Sequence, residues 1–107
     1  MRMLYIVRVW VDKEVAEDWR VWMRDIHIPE VVETGCFVRA YMARNEDADT
    51  EQRVAWVMMY HAPSAEDYAR YKQEHAAALQ ADHTERYAGR VNAERELLPV
   101  HATFPGE

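Results

Sequence analysis

The chain has 107 residues, half of them apolar, with a single cysteine and a formal net charge of −6. That length implies one domain with a real but modest core, and the lone Cys36 excludes a disulfide framework and a zinc–cysteine cluster. The acidic balance argues against nucleic acid or an anionic membrane as partner. No apolar stretch approaches the roughly 20 residues that span a bilayer, and MRMLYIVRVWVD is too short for a signal-peptide core, so a cytoplasmic location is expected.

Residues 3–11, MLYIVRVWV, are β-branched and aromatic and read as the first strand. Asp12 suits an N-cap for a helix over Lys13 to Ile26, with Val15, Trp19, Trp22, Met23 and Ile26 on one apolar face. Pro29 disfavours helical geometry at Ile28, so this helix is expected to end near His27. A short helix Pro29–Glu33 follows, with Gly35 as its C-cap. Residues 36–44, CFVRAYMAR, and 53–61, RVAWVMMYH, read as strands joined by the acidic loop NEDADTEQ in an antiparallel hairpin. Ser64, with Asp67 three residues on, opens another helix. It carries Tyr68, Tyr71, His75, Leu79 and Asp82 or His83 on one face and extends towards Tyr87, with or without a break, until Gly89. Residues 90–98, RVNAERELL, read as the last strand, stopped by Pro99.

The order is β-α-β-β-α-β, an α+β, ferredoxin-like pattern with a four-stranded antiparallel sheet over residues 1–98 and a tail over 99–107. An internal repeat supports it: Ala16-Glu17-Asp18-Trp19 returns as Ala65-Glu66-Asp67-Tyr68, and Trp22 matches Tyr71. In strand 1, Tyr5, Val7, Val9 and Val11 point one way and Leu4, Ile6, Arg8 and Trp10 the other. Both sets are mainly apolar, and strand 3 behaves alike. Two helices cover only one sheet face, so the other is expected to meet the same face of a second subunit in a homodimer.

This order, the two apolar faces and His27 near the end of the first helix resemble the dimeric α+β barrel superfamily. LYIVRVWVD, WMRDIHIPEVVETGCF and EDYARYKQEHAAALQADHTERY are similar to a family of short bacterial proteins within it, classified only as a domain of unknown function. The resemblance spans residues 3–98 and implies the fold and a dimer, but no activity.

His27 with Glu30 three residues on is the first candidate pair. At a helix C-terminus the macrodipole favours an imidazolium. His27 then acts as general base with Glu30 holding its ring, or simply bonds the helix-end carbonyls. His75, on the apolar stripe, is its counterpart in the second half and converges with it if the pseudo-two-fold brings both helix ends together; His83 reads as a surface or bridging residue. Arg8 interrupts an apolar strand and needs a partner, Glu94 or Glu96. As a binding group it anchors an anion in a pocket lined by Trp56, Met58 and Tyr60. The histidines lack metal-ligand spacing and no glycine-rich phosphate loop is present, so neither a metal nor a cofactor is expected, although one histidine suffices to ligate haem.

The reading that joins these observations is a homodimeric barrel binding a small apolar or aromatic molecule. It acts by proton abstraction or oxygenation, with His27 and Glu30 catalytic and Arg8, Trp56, Tyr60 and His75 binding. A non-enzymatic interaction dimer and a haem-binding protein are the alternatives.

Overall fold

The computed structural model describes residues 1–106. The strands are β1 (Met3–Asp12), β2 (Arg39–Arg44), β3 (Arg53–Ala62) and β4 (Val91–Pro99), in the spatial order β2-β3-β1-β4. Every neighbouring pair is antiparallel. β1 and β3, the two ten-residue strands, form the centre, which is why their sequences are the most uniformly apolar. The helices are α1 (Ala16–Trp22), α2 (Ile28–Glu33), α3 (Ala65–Glu74) and α4 (Ala76–Tyr87).

Between α1 and α2 the chain does not stop at His27. Met23–His27 forms a π turn, in which the Ile28 N–H reaches back to the Met23 carbonyl, and Ile28 keeps helical angles of φ −62°, ψ −43°. In an unbroken α-helix the Pro29 ring would collide with the carbonyl four residues earlier. The widened turn moves that carbonyl aside, so proline is absorbed rather than terminating the helix. The helix also starts at Ala16 rather than Lys13, and Val15, not Asp12, stands at its N-cap position. Asp12 instead receives Arg53 and Arg90 at 2.7 and 2.8 Å. Gly35 closes α2 at φ +80°, a conformation that suits glycine.

In the second half the sequence signals hold closely. Ser64 caps α3, accepting from the Asp67 N–H at 3.1 Å. His75, at φ −127°, ψ −33°, separates α3 from α4, and Gly89 at φ +75° ends the helical stretch. The second strand starts only at Arg39; Cys36 and Phe37 precede it as fully buried plugs of the core.

The register assigns the faces. Tyr5, Val7, Val9 and Val11 stand opposite Tyr60, Met58, Trp56 and Val54, and this set lies under the helices with Trp19, Met23, Val31 and Tyr71. Leu4, Ile6, Arg8 and Trp10 of β1, with Val57 and Met59 of β3, occupy the other face. Among the described residues none of α1–α4 packs there. The β2–β3 loop turns over one end of it, where the Trp10 indole donates to the Ala48 carbonyl at 3.0 Å. Tyr41 and Leu98, on the outer strands, remain exposed. Beyond β4, Phe104 is exposed at the edge of a surface hollow that Leu4, Val38 and His61 also line, and residue 107 of the expected tail lies outside the described residues.

Candidate functional site

A cleft opens between the helices and the sheet. Its floor is buried and largely apolar: Tyr5, Val7 and Val9 of β1, Met58 and Tyr60 of β3, and Met23, Val31 and Tyr71 from the helices. Its mouth lies on the β4 side, where Gln80 and His83 of α4 face Ala93 and Arg95. β4 is one of the two edge strands and its residues after Val91 are exposed, so the cleft opens there. The cleft leaves about 40 Å³ of room for water-sized molecules, and its empty space, open solvent at the mouth included, is about 460 Å³.

His27 is nine-tenths buried in this wall and its Nδ1 has no hydrogen-bond partner. Its ring stacks on Trp22, centroids 5.0 Å apart and planes 25° from parallel. Burial pushes its pKa down to about 4, helped by His83 and Arg95 and opposed by Asp82. The imidazole is therefore neutral at pH 7, the opposite of the imidazolium expected at a helix end. The physical reason is burial in the first place; in addition the π turn carries the helix onward, so no helix end supplies a C-terminal dipole at His27. An unpartnered polar atom at such depth costs about 1–3 kcal/mol unless a ligand or water meets it.

His83 stands beside it, ring centroids 5.8 Å apart. The Trp19 indole donates to His83 Nε2 at 2.9 Å, which puts the proton of a neutral ring on Nδ1. Burial and Arg95 lower the His83 pKa as well. The phenols of Tyr5, Tyr60 and Tyr71 are pushed up, first by burial, with Arg95 pulling each back. The cleft is thus walled by neutral imidazoles and phenols under the field of one guanidinium.

Several expected site residues are elsewhere. Glu30 is exposed on α2, lining a shallow surface hollow with His75 and Glu74, and does not orient His27. His75 sits at the α3–α4 joint on that same outer side, so the histidine that converges with His27 is His83. The pseudo-two-fold brings the helices together but turns the joint outward. Arg8 is not in a pocket with Trp56 and Tyr60: it stands opposite Val57 and Glu94, on the far face of the sheet, where it pairs with Glu96 at 2.8 Å. Within each strand the alternation assigns faces correctly, but parity between strands depends on register, which the sequence leaves open. Tyr60 does line the cleft; Trp56 packs beside it against Trp19, under the Arg44 guanidinium. His83 and Arg95 were the residues missed. The signal for His83 was its place two turns after His75 on an amphipathic helix; for Arg95 there was none beyond alternation with Glu94 and Glu96. Among the described residues no cluster of metal-ligating side chains occurs.

The model of DUF4286, a domain of unknown function, matches residues 2–101. The chain belongs to the DUF4286 family. No curated protein matches it. Solved structures share the fold of this DUF4286 chain. SnoaB, a cofactor-independent oxygenase from Streptomyces nogalater, superposes with TM-score 0.69 at 18% identity, covering 97% of each chain. A putative antibiotic biosynthesis monooxygenase from Nitrosomonas europaea gives 0.65 at 14%, over 99% of this chain and 94% of its own. A dimeric ferredoxin-like protein from an uncultured marine organism gives 0.59 at 10%, over 95% and 97%. At these identities the likeness establishes the ferredoxin-like α+β fold, and DUF4286 is similar to proteins of the dimeric barrel group in that sense alone.

Proposed function

We propose that this DUF4286 protein is a homodimer that binds a small apolar, aromatic molecule in the cleft between helices and sheet. It acts on that molecule without a cofactor, by abstracting a proton. The observation that carries the reading is His27: a neutral imidazole with an unpartnered nitrogen, nine-tenths buried in the wall of an apolar cleft. Structural ring packing alone would not require a histidine there, since phenylalanine would stack on Trp22 with no orphaned atom. Returning the proton at another carbon makes the reaction an isomerisation; combination of the carbanion with dioxygen makes it an oxygenation. The likeness to SnoaB supports the second course without deciding it.

A base with a pKa of about 4 is weak, so its substrate must carry an unusually acidic C–H or O–H, as aromatic 1,3-diketones do with a C–H between two carbonyls. The test is deuterium incorporation and oxygen uptake across a panel of such ketones. Wild type is expected to exchange or consume oxygen, and H27A to lose about 100-fold or more, the contribution typical of a positioned base. Full activity in H27A removes the claim.

A second reading is favoured by the small enclosed volume: a non-enzymatic dimer whose cleft is merely loose packing around His27. It predicts no response to any probe of the panel.

A further inference from the structure

We propose that Arg95 is the ligand-selecting residue of the cleft, and that the cleft takes a small aromatic ring bearing an anionic oxygen, a carboxylate or an ionised phenol or enol. The inference rests on the cleft being a binding site and names what the site selects.

Arg95 stands opposite Val7 in the β1–β4 register, which puts it on the helix-covered face with Val7 and Tyr5. Its sequence neighbours Glu94 and Glu96 therefore point to the other face, where Glu96 is held by Arg8. The alternation of the strand removes the two carboxylates that would otherwise neutralise it. In a chain of 19 acidic and 13 basic residues, most arginines hold a carboxylate, among them Arg44, Arg53, Arg70 and Arg90. Arg95 forms no ion pair with any described carboxylate, although it sits at the mouth of the cleft. What faces it is a set of groups that carry no negative charge at neutral pH, the phenol of Tyr5 nearest, with His27 and His83 behind. A guanidinium offers a planar fork that matches a carboxylate or enolate oxygen, and it strengthens where water is partly excluded.

The remaining requirements come from the walls. Tyr5, Tyr60 and Tyr71 give a ring-stacking floor. The cleft as it stands leaves about 40 Å³ of room for water-sized molecules, so a six-membered ring sits at the open mouth, where the empty space runs out into solvent. A ring lying there with its anionic oxygen on the guanidinium stands within the reach of both imidazoles. The positive field that holds the bound anion also stabilises the anion formed when His27 takes a proton.

The experiment is a fluorescence titration, because Trp22 stacks on His27 and Trp19 bonds His83, so both report on the cleft. The probes are benzoate, its neutral isostere benzamide, acetate, and 4-nitrophenol followed by its anion absorbance at pH 6. Benzoate is expected to bind at least ten-fold more tightly than benzamide or acetate. R95Q should lose that preference while binding benzamide unchanged, and R95K should keep part of it. Protein-induced ionisation of 4-nitrophenol, absent in R95Q, would extend the site to phenols; without it the ligand class narrows to carboxylates. Equal binding of benzamide and benzoate, or unchanged benzoate binding in R95Q, overturns the role of Arg95 but leaves the cleft as an apolar binding site. Acetate as tight as benzoate overturns the aromatic class. No binding of any ring overturns both this inference and the proposed function.

Discussion

His27 shows how little a residue's chemistry follows from its place in the sequence. Near a proline and after an amphipathic run it reads as a helix-end imidazolium; in the fold it is a buried neutral base. The difference is measurable through pH. Its folded pKa of about 4 lies below the ordinary 6.5, so between those values the unfolded chain binds a proton that the native state refuses. Stability is unaffected by this group above about pH 6.5 and falls as pH drops towards 4, by at most about 3 kcal/mol. His83, lowered by burial and by Arg95, adds in the same direction, while Arg95 and Asp82 act on His27 with opposite signs. Urea unfolding of H27F between pH 7 and 4 is expected to show a shallower loss than wild type, because phenylalanine keeps the stack on Trp22 and has nothing to protonate. Equal slopes would mean that the ring is solvated in the native protein.

At the scale of elements, most of the fold was legible. Runs of β-branched and aromatic residues between turn and breaker residues located the four strands, and the repeat at an offset of 49 residues supported the two helical halves. Ser64 was legible because its hydroxyl satisfies an otherwise unpartnered N–H of α3, a local bond that needs no tertiary knowledge. Ser64→Ala is expected to lower stability by about 1 kcal/mol in denaturant unfolding, with the slope of the transition unchanged. What could not be read was the π turn, since proline signals a stop and only the packed sheet beneath makes continuing the helix worthwhile. The candidate site failed for a related reason. Arg8 and Arg95 are both arginines in antiparallel, hydrogen-bonded strands, and only the register, Val7 against Arg95 and Arg8 against Glu94, decides which one meets the cleft.

The whole molecule has one sheet face under α1–α4 and one without, where half-buried Val57 and Met59 lie beside buried Ile6 and are flanked by exposed Tyr41 and Leu98. A patch of this kind is costly in water, and a second copy offers the same surface in return. Light scattering across a dilution series is expected to give a dimer for wild type. Met59→Glu places a carboxylate in the middle of that face, between Ile6 and Tyr41, and is expected to give a folded monomer by circular dichroism and mass. A persistent dimer in that variant would move the interface elsewhere on the surface.

The two helical halves are interrupted at the same level. Carried across the repeat offset, the π turn at Met23–His27 falls on residues 72–76, and His75 is where α3 gives way to α4. One half breaks regularity by widening a turn ahead of a proline; the other, without any proline there, does it with a single residue out of helical geometry. Two unrelated local devices at one height mean that the demand is set by the platform below: a straight rod cannot follow a twisted sheet over this length. A redesign that straightened either rod with alanines would gain local helicity and lose its seat on the sheet. The wall that carries both imidazoles owes its shape to that bend.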